Sequence, residues 1–208
     1  MATLEIKKRV KNAILYTNGM IKIENVRFSF PHLDKPYAGK NAKPTDKPKY
    51  GIVGMLSKKT HVEAKDLVVE RINELLKEAK LNKLPPKDKF LRNGDDEKED
   101  VYDGHWIVSA REDRKPSVRN RRGELVTETS EIADLIEGGY WGHILIRPWF
   151  QNNDYGQKVN AGLSGVQHTK DDETFGEGRI DDTDAWADES GSSDGDGMDD
   201  DNKDDDGL

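Results

Sequence analysis

The last 38 residues, Asp171 to Leu208, hold 17 acidic side chains against two basic ones, Arg179 and Lys203. After Ile180 the only bulky apolar residues are Trp186, Met198 and Leu208. Such a stretch cannot bury enough apolar surface to offset the entropy of ordering its backbone, which predicts a disordered acidic tail over 171–208. Any fold must therefore be built upstream of it. The tail also hides the character of the rest. The whole chain has a formal net charge of −8, yet residues 1–170 hold 31 basic and 24 acidic residues and stand at +7. A basic body joined to an acidic arm points to nucleic acid or to an interaction tail. A solubilising tail without a partner is the plainer alternative. A calcium loop starting at Asp194 fails, because Met198 stands where a ligand belongs and Asp199 where the turn glycine belongs.

The chain has no cysteine, which excludes disulfides, zinc ribbons and thiol catalysis. Its five histidines are scattered and never paired at the short spacing of a metal site, so no cofactor is expected. No apolar run approaches the roughly 18 residues of a membrane span, and the N-terminus lacks the apolar core of a signal peptide. The expectation is a soluble protein without a membrane partner.

Within the basic body, MIKIENVRFSF (20–30) alternates at Ile21 and Ile23 and resumes at Val26, Phe28 and Phe30. The skipped step at Glu24–Asn25 predicts a strand with a β-bulge. KYGIVGMLS (49–57) reads as a second strand, with Gly51 and Gly54 allowing close approach or a bend. Thr60 and Glu63 form a capping box ahead of a helix whose apolar face is Val68, Ile72, Leu75, Leu76 and Ala79. That helix stops before Pro85–Pro86, and the charged segment 87–100 reads as a loop or hairpin tip. HWIVSAR (105–111) is a strand, and KPSVRNRRGELV (115–126) is a hairpin turning at Arg122–Gly123. GYWGHILIRPWF (139–150) reads as the longest strand, and KVNAGLSGVQHT (158–169) as the last. The fold class is mainly β: a small antiparallel β-barrel with one main helix. Residues 1–19 are an N-terminal arm or first strand, 20–170 the nucleic-acid-binding domain, and 171–208 the tail.

Strand 139–150 carries the most chemistry. Its even positions, Tyr140, Ile144, Ile146 and Phe150, make a core face, while its odd positions are Trp141, His143, Leu145, Arg147 and Trp149. Tryptophans beside a histidine and an arginine form either a base-stacking platform or the cover of a second apolar layer such as the helix. Alternation alone does not say which face is inside. Positive charge gathers in two loops. One holds Lys40, Lys43, Lys47 and Lys49 between Tyr37 and Tyr50; the other holds Arg111, Arg114, Lys115, Arg119, Arg121 and Arg122. Basic loops interleaved with aromatics suit a groove that tracks phosphates and stacks bases. The stacking candidates are Tyr37, Tyr50, Trp106, Trp141 and Trp149, with His143, Arg147 and the two loops positioning the backbone. An enzymatic alternative uses Asp103, Asp113 and Lys115 as a magnesium-dependent nuclease site.

The segments FLRNGD (90–95), YDGHWIVSA (102–110), RKPSV (114–118), GGYWGHILIRPWF (138–150) and VNAGLSGVQHTKDDETFG (159–176), with YAGK (37–40), resemble a family of phage-encoded single-stranded DNA-binding proteins. The resemblance covers roughly residues 20–180, and GGYW and GLSGVQ are its most specific parts. It implies an OB-fold that binds single-stranded DNA without sequence preference in replication and recombination; the expected setting is the cytoplasm of an infected bacterial host, and self-association along DNA stays open. It also implies an acidic C-terminus that contacts replication or recombination proteins. Here that arm would comprise Asp199, Asp200, Asp201, Asp204, Asp205, Asp206 and Leu208. An RNA-binding or scaffold module of the same fold is the remaining alternative.

Overall fold

The structure, a computed structural model, describes residues 4–39 and 42–175. In chain order it runs β1 (Ile6–Val10), β2 (Ala13–Tyr16), β3 (Ile21–Tyr37), β4 (Lys49–Ser57), α1 (Val62–Glu78), β5 (Leu91–Asn93), β6 (His105–Glu112), β7 (Ser117–Arg119), β8 (Leu125–Val126), α2 (Thr129–Leu135), β9 (Trp141–Asn153) and β10 (Gly156–Lys170). The fold is mainly β, as the patterning predicts. Lys40 and the tail residues Asp199, Asp200, Asp201, Asp204, Asp205, Asp206 and Leu208 lie outside the described residues.

The strands form one sheet in the order β5-β6-β4-β3-β9-β10-β7-β8, with β1 and β2 joined to it through β3. All neighbours pair antiparallel except β7 and β10. The sheet is not closed into a barrel. Its flanks meet at a single bridge between Lys89 and Val159, where the Phe90 N–H donates to the Val159 carbonyl at 2.9 Å. The inner faces of β3, β4, β6, β9 and β10 and the apolar stripe of α1 share one cluster, which includes Ile23, Phe28, Val108, Ile144, Leu163 and Leu67. No helix among the described residues is long and apolar enough to cross a membrane.

Local details explain where the fold departs from pattern. The break at Glu24–Asn25 is a bulge: the β3–β9 register shifts between Ile23 and Val26, and Asn25 takes a φ of 57°. A second irregularity follows between Ser29 and His32, where Phe30 has a φ of 43° and stands 58% exposed. It turns Phe30 off the core face on which alternation alone would put it. The capping box of α1 does not form. His61, 2% exposed, occupies the N-cap without a side-chain cap bond. The Thr60 hydroxyl instead donates to His61 Nδ1 at 2.8 Å, while His61 Nε2–H donates to the Glu24 carbonyl at 3.0 Å. A buried imidazole must satisfy both nitrogens, and that need outweighs a cap available to solvent. The segment 87–100, read as loop, contains β5; α2 carries too short an apolar pattern to announce itself. At 17 residues β3, not β9, is the longest strand.

Candidate nucleic-acid interface

Along β9, Gly142, Ile144, Ile146 and Pro148 are buried, while Trp141, His143 and Leu145 are half-buried and Arg147 and Trp149 exposed. The odd positions therefore face away from the main core, and α1 packs with Ile144 and Ile146 on the opposite side. The rings on β9 are not the cover of the helix layer.

This outer face divides into three stretches. At one end, Trp141 Nε1–H donates to Asp172 Oδ2 at 2.6 Å, and the Arg27 guanidinium lies 5.9 Å from the Trp141 ring centroid. Arg27 also lies 4.4 Å from the Phe175 ring and donates to the Gly139 and Glu173 carbonyls, each at 2.8 Å. Phe175 packs against the small cluster of Met55, Tyr102 and Ile107. Residues 171–175, the root of the acidic segment, thus form a strap over Trp141. The Glu173 N–H and Trp141 Nε1–H together hold the Asp172 carboxyl below its usual range.

The middle stretch is a pocket of about 150 Å³ whose lining includes Tyr16, Lys22, His143, Leu145, Arg119 and Gln167. The bulge shapes it: the Asn25 N–H, freed from the ladder, donates to His143 Nδ1 at 3.1 Å. Burial, with the Lys22 charge nearby, pushes the His143 imidazole below its ordinary value, so it is neutral at pH 7. Lys22 is paired with Glu24 at 3.0 Å, and Arg119 donates to the Gly123 carbonyl at 2.8 Å. Gly165 keeps the β10–β7 side open, since a Cβ there would lie 2.6 Å from Ser117 Oγ. At the far end, Arg147 and Trp149 are exposed beside the β9–β10 hairpin, Trp149 at 45%.

The two basic loops meet at one end of the β4–β6 pair. Tyr50 is half-buried opposite Glu112, Arg111 is exposed opposite Gly51, and Lys49 Nζ lies 3.1 Å from Asp113 Oδ1. Tyr37 is 44% exposed and stacks on His32 with centroids 4.4 Å apart. Lys43, Lys47, Arg114, Arg121 and Arg122 are exposed, and Lys115 Nζ donates to the Thr127 carbonyl at 3.4 Å. Trp106 stands apart from the other rings. It packs against the main core beside α1, with Lys65 Nζ 5.1 Å from its centroid. Tyr16, Lys22, Arg27 and Gln167 were not singled out by sequence. Lys22 alternates with Ile21 and Ile23 and so could have been read as outward-facing; the others need the strand register.

The nuclease arrangement is not assembled. Asp103 and Asp113 flank opposite ends of the eight-residue β6, roughly 25 Å apart at about 3.3 Å per residue, too far to share an ion. Among the described residues no group of three or more His, Asp or Glu side chains could hold a metal.

A family model described as the single-stranded DNA-binding protein of Enterobacter phage Enc34 matches residues 19–198. The chain belongs to this family. The structure titled as the single-stranded DNA-binding protein from bacteriophage Enc34 in complex with single-stranded DNA aligns at 41% identity and a TM-score of 0.79. The match covers 85% of this chain and 100% of that one. A C-terminally truncated form of the Enc34 protein aligns at 41% identity and 0.78, over 84% of this chain and 99% of its own. The bacteriophage T7 protein gp2.5, a single-stranded DNA-binding protein, aligns at 13% identity and 0.55 over 76% of this chain and 95% of that one, a likeness of fold alone. Comparison with curated proteins found no match.

Proposed function

We propose that this chain binds single-stranded DNA without sequence preference along the outer face of β9, protecting it during phage DNA replication and recombination in the infected bacterial cytoplasm. The observation that carries this reading is the match to the whole length of an Enc34 protein solved with single-stranded DNA. The geometry adds the means. Trp149 and Tyr37 offer exposed ring faces, on which stacking contributes roughly 1–3 kcal/mol per base whatever its sequence. Exposed Lys43, Lys47, Arg114, Arg121 and Arg122 would contact phosphates and release counterions. The reading includes an OB-type use of the sheet, a binding role with no catalytic step, and self-association along the strand. The acidic residues after 170 are its second working part, a DNA mimic competing at high effective concentration and an arm for replication or recombination proteins.

Tryptophan fluorescence titration with matched single-stranded DNA, duplex DNA and RNA at two salt concentrations tests the reading. Saturable quenching by single-stranded DNA, weakened by salt, is the expected result. Failure to bind it at low salt, or tighter binding of RNA, would overturn the proposal in favour of a scaffold or RNA-binding role.

A further inference from the structure

The pocket between Tyr16 and Gln167 is built differently from the rest of the face. Resting on the single-stranded DNA reading, we propose that it receives one unpaired nucleobase of the bound strand and hydrogen-bonds the edge of that base. Its volume of about 150 Å³ is well below the roughly 300–1,000 Å³ of pockets for drug-sized ligands and suits a single planar heterocycle.

Lys22 and Arg119 also line it, but Lys22 is paired with Glu24 and Arg119 bonds the Gly123 carbonyl, and the remaining polar groups suit a base edge better than a phosphate. His143 Nδ1 already accepts the Asn25 N–H, so the neutral ring carries its proton on Nε2 and offers one donor and no charge. Gln167 Nε2–H donates to the Asn120 carbonyl at 3.4 Å, which leaves the amide oxygen as an acceptor. A phosphate only accepts, and an amide oxygen repels it. An unpaired base presents a donor and an acceptor together on its Watson–Crick edge, whichever base it is. Leu145 and the Tyr16 ring supply apolar walls, and Gly165 leaves room where a methyl group would collide with Ser117. In a duplex the same edge is occupied by the opposite strand. The pocket therefore separates single-stranded from duplex DNA without selecting a sequence.

The test compares the full chain with its Gln167→Leu variant on two strands of equal length, oligo-dT and an abasic phosphodiester strand. Gln167→Leu removes the acceptor while keeping the volume. The expected result is about a five-fold loss of affinity for oligo-dT, the size of one hydrogen bond, and no change on the abasic strand. An equal loss on both strands, or none on either, overturns the inference while leaving the binding reading intact. Absence of oligo-dT binding by the unaltered chain overturns the reading beneath it instead. A melting curve establishes that the variant folds. Should it not, Gln167→Asn, which withdraws the amide by one methylene, takes its place under the same outcomes.

Discussion

At the scale of single residues, the four positions that matter most separate by what lies on each side of them. Trp149 is 45% exposed, so Trp149→Ala is expected to lower affinity for single-stranded DNA roughly five-fold or more and to leave the melting temperature unchanged. Trp106 packs on the core beside α1, so Trp106→Ala lowers the melting temperature, as the loss of about 3 kcal/mol implies, before it changes binding. Parallel thermal melts and fluorescence titrations check both outcomes. Gly142 is held by sterics: a Cβ there would come within 2.1 Å of the Gln167 carbonyl and 2.2 Å of Phe28 Cζ. Gly142→Ala therefore costs about 3 kcal/mol or more, measurable by denaturant unfolding, because backbone stands in the way and cannot give. Phe30 combines a positive φ with 58% exposure, a conformation the core does not require of it.

At the scale of elements, the strap 171–175 and the acidic residues beyond it can be removed separately. A chain ending at residue 176 keeps the Asp172–Trp141 hydrogen bond and the Phe175 packing while losing 14 of the 17 acidic residues. A chain ending at residue 170 loses both. On the proposed decoy role, removing the acidic residues is expected to tighten binding of single-stranded DNA at low salt, and ending at 170 to tighten it further by freeing Trp141 and Arg27. Equal affinity of all three chains at low salt would remove both the decoy and the strap. The bulge in β3 is the other element-scale device. It frees the Asn25 N–H for His143 and the Glu24 carbonyl for His61, tying β3 to β9 on one side and to the start of α1 on the other.

At the scale of the whole molecule, protonation couples to folding in one direction. Burial, the largest influence on each, places the imidazoles of His32, His61 and His143 below their ordinary value near 6.5. The unfolded chain thus binds protons more readily than the folded one just below that pH. Their contribution is complete above about 6.5 and is lost as pH falls toward the folded values. Glu24, where burial is outweighed by Lys22 together with other nearby positive charge, and Glu74, bonded to Arg71, are also held low and lose their contribution further down, below about 4.3. Melting temperatures measured from pH 8 to pH 4 should fall on acidification, starting near 6.5; a flat profile to pH 5 would contradict the buried, neutral histidines.

The residues alone were enough for the basic body, the fold class, the bulge at Glu24–Asn25, the hairpin at Gly123 and the division of strand 139–150 into two faces, though not for which face is outward. Each rests on a local rule: charge counting, period-two alternation, or a turn glycine. Contacts between distant segments were out of reach of those rules. The bond from His61 to the Glu24 carbonyl, the turning-out of Phe30, the seating of Trp106 beside α1 and the meeting of Tyr16, His143 and Gln167 depend on strand register. The separation of Asp103 from Asp113 follows instead from β6, one extended strand that sets them beyond its opposite ends. Register is a collective choice, made by burying one face of every strand at once, and no single segment carries it.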